Sequence, residues 1–486
     1  MSEANLKKKT VSGLLWRFAE RCGAQLVAFV VSIVLARLLS PDDYGLIAMI
    51  TVFITISQVF VDSGMANALI QKKNADNLDF SSVFYFNVVL CLVIYIILFI
   101  TAPFIAGFYG KNELTPLLRV LGITIIISGL KNVQQAYVSK KMLFKKFFFA
   151  TLGGTLIAAA AGIALAYMGA GAWALVVQQI LNVTIDTIIL WFTVKWRPQR
   201  VFSLSRLKGL FSYGWKLLVS ALIDTFYNNL RQLLIGKIYS SADLAYYNRG
   251  QQFPNFIVSN INASIDSVLL SALSSEQDHI QKVKTMTRRA IKTSSFIMWP
   301  MMIGLAVLSK PLIIILLTDK WLAAVPFLQI FCINYGFQPI QTANLNAIKA
   351  LGRSDLFLKL EITKKAIGIV ILIVSMRFSV LAVAVGLLLY TIIVSFINSL
   401  PNAKLLGYSY FEQIRDMAPA LLLSCIMGMV IFPIKYFISS NLILMTVQIF
   451  IGGIIYIGLS SILRLESFTY IIETIKSLTK HRRKCE

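Results

Sequence analysis

Arg17 and Arg21 stand four residues apart inside a long apolar run, with Glu20 between them, and Lys216, Asp224 and Arg231 stand inside another. A charge at the centre of a bilayer costs roughly 2.5–3.5 kcal/mol on insertion scales. A membrane-spanning segment keeps one only where it faces protein or a water-filled cavity. Polar residues extend the pattern at helical spacing. Arg17, Arg21, Gln25 and Ser32 share one face of the first segment, and Thr51, Thr55, Gln58 and Asp62 share a face of the second. Lys216, Ser220, Asp224, Asn228 and Arg231 line the seventh, and Gln251, Asn255, Ser259, Asn262 and Asp266 line the eighth. Arg17, Arg21, Lys216 and Arg231 face only Glu20 and Asp224 as near acids, so the set is net positive. Guanidinium groups take phosphate oxygens in pairs, and Asn, Gln, Ser and Tyr suit sugar hydroxyls. A diphosphate-linked headgroup answers both, with any lipid tail left in the bilayer. Asp62, Asp224 and Asp266 are candidates for Na+ or proton coupling, and partnering a nearby cation or amide is an equal alternative. For a single Ser, Thr, Asn or Gln, interhelical hydrogen bonding is the commoner use. Arg17, near its segment's end, can also snorkel to the interface.

The elements that would position these residues are membrane helices. Of 486 residues, 57% are hydrophobic and 14% charged, against about 25% charged in soluble domains. Mean hydropathy is +0.74. The net charge of +24 is spread over short loops rather than gathered on a soluble domain, which argues against nucleic acid as a partner. At about 20 apolar residues per span, fourteen helices are expected, giving an all-α polytopic membrane protein. They run over 12–38, 43–69, 80–107, 115–137, 146–168, 172–194, 209–238, 243–271, 286–308, 323–347, 356–377, 380–400, 415–437 and 441–463. Residues 311–317 are too short to span and are expected to cap the ninth helix. With both termini cytoplasmic, inside segments hold 32 of the 46 Lys and Arg residues and outside loops hold 6, which fits the positive-inside rule and an even helix number. The charged first run lacks a cleavage site, so no cleaved signal peptide is expected. The five cysteines are scattered without a CxxC, and His279 and His481 fall in loop and tail. Neither a disulfide framework, nor a metal site, nor a histidine proton relay is implied.

The chain repeats itself. Arg37-Leu-Leu-Ser40-Pro-Asp-Asp43-Tyr-Gly45 returns 200 residues later as Lys237-Ile-Tyr-Ser240-Ser-Ala-Asp243-Leu-Ala245, and Asp62 falls on Asn262. Further on, the offset is 210: Pro116 with Pro326, Leu118 with Leu328, Gln134 with Asn344. Six helices per repeat give two lobes of equal orientation, 1–201 and 202–405, with the substrate site between them. Residues 406–486 add helices 13 and 14 and a basic cytoplasmic tail, whose Lys480-His-Arg-Arg-Lys484 run suits anionic membrane lipid. Arg37 and Lys237 sit at the outer ends of equivalent helices. Each reads first as a helix C-terminal cation followed by an acid that caps the next helix; a part in an outer gate is the sharper alternative.

Ala36-Arg37-Leu-Leu-Ser-Pro-Asp-Asp-Tyr-Gly45, Asp62-Ser-Gly64-Met-Ala-Asn-Ala-Leu-Ile-Gln71 and Ala245-Tyr-Tyr-Asn-Arg249-Gly-Gln-Gln-Phe-Pro254 together resemble the Wzx-type polysaccharide and O-antigen flippases. The likeness is strongest to the colanic-acid exporter-like group of the multidrug/oligosaccharidyl-lipid/polysaccharide exporter superfamily, and it covers almost the whole chain. The resemblance implies fourteen helices in two lobes plus two. It also implies movement of polyprenyl-diphosphate-linked oligosaccharide from the inner to the outer leaflet of the bacterial cytoplasmic membrane, by alternating access around a cationic cavity. Polysaccharide assembly proteins are candidate partners, and no cofactor is expected beyond H+ or Na+. Within this frame the substrate-binding candidates are Arg17, Arg21, Gln25, Lys216, Asn228, Arg231, Arg249 and Asn255. Arg249 lies in a matching motif, where a structural use is an alternative. A drug/cation antiporter of the same fold would need an acidic pocket. A membrane glycosyltransferase or polymerase would need a sizeable catalytic loop, and no DxD, HExxH or nucleotide motif is present, so the chain is not expected to be an enzyme.

Overall fold

The computed structural model describes Trp16, residues 23–62 and 64–473, and Lys476. Among these the secondary structure is helical, without strands. Helix α1 is Gly23–Leu38. It is followed by α2 Pro41–Asp62, α3 Met65–Gln71, α4 Asn77–Tyr109, α5 Leu114–Lys140, α6 Phe144–Tyr167, α7 Ala172–Thr193, α8 Leu204–Ile238 and α9 Ser241–Ser275. Then come α10 Ile280–Val307, α11 Ser309–Leu317, α12 Val325–Gly336, α13 Gln338–Ala350, α14 Ser354–Ser375, α15 Val380–Leu405, α16 Tyr410–Ile431 and α17 Asn441–Ile462. Residues 466–473 form a last short helix, α18.

Each of the fourteen expected segments overlaps helix. Among the described residues, nine stretches are long and apolar enough to cross a membrane: α2 with α3, α4, α5, α6, α7, α10, α15, α16 with the 3-10 turn Phe432–Tyr436, and α17. The other expected segments miss that measure for visible reasons. The described part of α1 is short. Helices α8 and α9 carry the polar faces, α12 and α13 divide at Phe337, and α14 opens with Asp355, Lys359, Glu361, Lys364 and Lys365. Residues 311–317 fall in α11, the short helix directly after α10. Side chains such as Phe104 (76%), Phe192 (85%) and Ile454 (70%) are widely exposed. In water that would be an aggregation hazard; on a multi-pass membrane protein it is the lipid-facing surface.

Cap chemistry explains where helices begin. Asp76 accepts from the Asp79 amide at 2.9 Å while Asp79 reaches back to the Asp76 amide at 3.2 Å, a capping box that opens α4. The Asp79 amide bond holds the Asp76 carboxyl below the usual carboxylate range. Ser409 and Glu412 build the same device for α16. The repeat supplies two more. The Ser40 hydroxyl donates to Asp43 at 2.6 Å and accepts from its amide at 3.2 Å. Ser240 does the same with Asp243, at 2.7 and 3.1 Å. The serine is therefore the cap and the acid closes the box, refining the expectation that the acid itself caps.

Backbone contacts divide the chain into two compact units, Met1–Ala245 and Tyr246–Glu486, with the division inside the first turns of α9. In the first unit, α8 packs on α2, α3 and α4. Two glycines permit the approach. Gly64, at φ 68°, breaks α2 from α3, and a Cβ there would lie 2.6 Å from the Gly214 carbonyl of α8. At Gly45 a Cβ would meet the Ser241 carbonyl oxygen at 2.0 Å. Gly45→Leu should therefore force α2 from the start of α9 and cost about 1–3 kcal/mol, the range for overpacking. Lowered thermal stability in detergent would check it, and an unchanged melting profile would refute the contact. The core of this unit gathers Met65, Leu69, Phe80, Phe84, Val133, Phe147 and Trp196. In the second unit, α16 and α17 join α10, burying Trp299, Ile340, Met417, Met427 and Tyr456.

Candidate functional site

The polar residues expected on the seventh segment lie on α8. Lys216, Ser220, Asp224 and Asn228 are exposed and Arg231 is half-buried. At 100° per residue, Lys216, Asp224, Asn228 and Arg231 fall within an arc of about 120°. The Arg231 Nε is buried with no hydrogen-bond partner among the described atoms. Gln25 is exposed on α1, and Asn255 and Asp266 are exposed on α9. Arg17 and Arg21 lie outside the described residues.

Arg249 is buried. Its guanidinium sits 5.3 Å from the Trp321 ring centroid and donates to the Gln252 side-chain carbonyl, an enclosed cation–π arrangement. Lys237 is exposed, lies 4.7 Å from the Phe108 ring and donates to the Phe108 carbonyl. It thus serves the end of α4 in the first unit. Arg37 is exposed at the end of α1.

Two of the candidate acids, Asp62 and Asp266, have defined amide partners. Asn132 of α5 donates to Asp62 at 3.1 Å, and Asn346 of α13 donates to Asp266 at 2.7 Å. Thr342 of α13 donates to Asn262 at 2.8 Å. Positions 62 and 262 are 200 apart and positions 132 and 342 are 210 apart, the two offsets read in the sequence. Each unit thus closes the same helix pair with the same side-chain bond. Gln134 and Asn344, also 210 apart, are both fully buried: the first donates to the Trp196 carbonyl at 3.1 Å, the second to Gln413 at 2.7 Å.

Three buried charge clusters escaped sequence reasoning. In the first unit Lys131 of α5 donates to Asp186 of α7 at 2.9 Å, both largely buried, and the second Asp186 oxygen is buried without a hydrogen-bond partner. Asp79, fully buried, pairs with Lys72 at 2.7 Å and Arg206 at 3.6 Å. In the second unit Asp416 takes Arg288 at 2.6 Å, Lys292 at 3.5 Å and the Tyr408 hydroxyl at 2.8 Å. Burial, and then the neighbouring carboxylate, push the Tyr408 phenol up, so it stays a donor. Only Lys131 and Asp186 are lone charges in apolar stretches; the members of the other two clusters lie in or beside charged loops and helix ends. The anomaly of a charge is visible in one sequence, but the partner on a distant helix is not.

No group of three or more His, Cys, Asp or Glu side chains with metal-site geometry occurs among the described residues. What the arrangement offers is cation and amide donors on long helices within a multi-pass membrane protein. Those are the features of a multi-pass helical membrane protein. Over residues 34–326 the chain matches the polysaccharide biosynthesis protein family, and it belongs to that family. It is 25% identical over 444 residues to the teichuronic acid biosynthesis protein TuaB of Bacillus subtilis (strain 168), a match covering 89% of this chain and 90% of that one. It is 24% identical over 442 residues to the lipopolysaccharide biosynthesis protein WzxC of Escherichia coli (strain K12), covering 88% and 89%. Among solved structures it resembles the lipid II flippase MurJ in an inward closed conformation, with a TM-score of 0.74, 17% identity, and coverage of 93% of this chain and 98% of that one. An inward-facing multidrug resistance MATE family transporter of the MOP superfamily follows at a TM-score of 0.61 and 14% identity, covering 82% and 95%. Those two solved proteins are a flippase and a transporter, and the likeness is one of fold.

Proposed function

We propose that the chain flips a polyprenyl-diphosphate-linked oligosaccharide from the inner to the outer leaflet of the bacterial cytoplasmic membrane. Both termini lie in the cytoplasm, in keeping with the 32-to-6 split of basic residues. Two six-helix lobes alternate access around a cationic cavity, and α16 and α17 stand outside the repeat. Arg17, Arg21, Lys216 and Arg231 hold the diphosphate or acidic sugars, and Gln25, Asn228 and Asn255 bond sugar hydroxyls. Asp62, Asp224 and Asp266 are the candidates for H+ or Na+ coupling. Arg249, enclosed by Trp321 and Gln252, acts by shaping α9 rather than by free contact with cargo. The observation that carries the reading is the net-positive arc of Lys216, Asp224, Asn228 and Arg231 on a long membrane helix, in a chain of the polysaccharide biosynthesis protein family whose relatives along nearly nine-tenths of its length are named for teichuronic acid and lipopolysaccharide biosynthesis. A cationic drug would be repelled by that arc, which ranks the antiporter reading second.

Depletion in the native cell gives the test. Lipid-linked oligosaccharide should accumulate on the cytoplasmic leaflet and surface polymer should fall. Normal surface polymer with no such accumulation would overturn the proposal.

A further inference from the structure

Two cavities adjoin in the second unit, and they differ in chemistry. One, of about 350 Å³, is lined by Arg289 and Lys292 of α10 and by Glu466, Ser467, Tyr470 and Glu473 of α18. The other, of about 470 Å³, is mainly apolar, walled by Val268, Leu269 and Ala272 of α9 and Met286 and Ala290 of α10. Arg289, Thr293 and Tyr470 line both. Both volumes fall in the range of small-molecule sites, about 300–1,000 Å³. Together they form a continuous amphipathic recess, polar at one end and greasy at the other.

The architecture sets this recess at a membrane surface. Arg464, at φ 48°, turns the chain after α17. Helix α18 then docks on the unit through Phe468, whose ring lies 6.2 Å from Phe296, and through Ile471. The first turns of α10, the last turns of α9 and the chain beyond α17 therefore meet at one end of the helices. Arg289 lies 4.8 Å from the Tyr470 ring centroid, which fixes the guanidinium at the junction of the two cavities.

The charges select the occupant. Lys292 and Glu466 neutralise one another at 2.5 Å, and Lys292 also lies 3.5 Å from Asp416. That leaves Arg289 and Glu473 on the polar wall, one of each sign, with no ion pair between them among the described contacts. A phosphate suits Arg289, which presents planar paired donors, and an ammonium suits Glu473. We infer that the recess binds a zwitterionic glycerophospholipid, its phosphoethanolamine-type head between Arg289 and Glu473 and one acyl chain along the α9–α10 wall. A purely anionic head would satisfy Arg289 but set its charge against Glu473. No residue of α8 lines the recess, so this lipid is proposed as a resident of the protein rather than its cargo.

The test is native mass spectrometry of the full chain released from detergent, titrated with phosphatidylethanolamine and, separately, phosphatidylglycerol. Wild type should retain phosphatidylethanolamine about tenfold more strongly. Arg289→Gln, which removes the phosphate partner, and Ala272→Phe, which fills the apolar cavity, should each lower that retention about tenfold, with elution and melting in lipid-free detergent unchanged. Equal retention by both variants and wild type would overturn the inference, as would preference for phosphatidylglycerol. If one variant fails to fold, the other, together with the Glu473→Gln variant, decides the matter by the same readout. Because retention is read without transport, its failure leaves the flippase reading standing, and failure of flipping leaves the lipid site standing.

Discussion

Lys131→Met should destabilise the protein by about 3–5 kcal/mol, the cost of leaving a buried charge without its partner. Asp186 is held between α5 and α7 by one ammonium at 2.9 Å, and its second oxygen has no compensating hydrogen bond. Removing Lys131 leaves the carboxylate either ionised in a medium of low dielectric or protonated at the expense of its pairing. Helices α5 and α7 also share the Trp191–Leu130 hydrogen bond at 3.3 Å, so the loss is local rather than global unfolding of the interface. The double variant Lys131→Met/Asp186→Leu should recover most of the stability, since apolar replacement of a whole buried pair is often neutral or better. Thermal unfolding of the single and double variants measures this. Equal stability of wild type and the single variant would show that the ion pair carries no weight. A double variant that is stable yet inactive would assign the pair to transport.

Alanine at Lys216 and Arg231 should lower the rate of flipping about 10- to 100-fold per position. A charge-assisted hydrogen bond contributes about 1.5–3 kcal/mol, and 1.4 kcal/mol is a factor of ten. Lys216 is exposed on α8 and the Arg231 Nε closes no hydrogen bond among the described atoms, so no described hydrogen bond at that nitrogen is lost with either side chain. Their loss should therefore leave melting unchanged while transport falls. Arg231→Lys should recover only part of the rate, because a point charge does not reproduce the paired donors of a guanidinium. Adding Arg17→Ala and Arg21→Ala should abolish flipping. Full activity of the four-fold variant would remove the cationic site from the account.

The helices were legible because apolar run length is a direct reading of bilayer thickness. Their starts were legible where Ser40 and Ser240 precede an acid by three residues, and the breaks at Gly64 and Phe337 were less so. Those breaks depend on what packs alongside, namely Gly214 at the first. The repeat was visible as offsets of 200 and 210, yet its structural meaning needed coordinates: Asp62 with Asn132, and Asn262 with Thr342, are the same bond made twice. Periodicity grouped the α8 polar residues because they lie close in sequence. It could not find Lys131 with Asp186, or Asp416 with Arg288, because each pair joins helices whose approach no single sequence encodes locally. The same limit explains Arg249. A cation in a motif looks available until Trp321, 72 positions on, is seen beneath it.

The most direct measurement uses the purified full chain in proteoliposomes, with a polyprenyl-diphosphate oligosaccharide placed in one leaflet and its arrival in the other followed by a membrane-impermeant probe. Transfer of that lipid well above protein-free vesicles, with no efflux of organic cations from the same preparation, is the predicted result. Organic-cation efflux without lipid transfer would contradict the account.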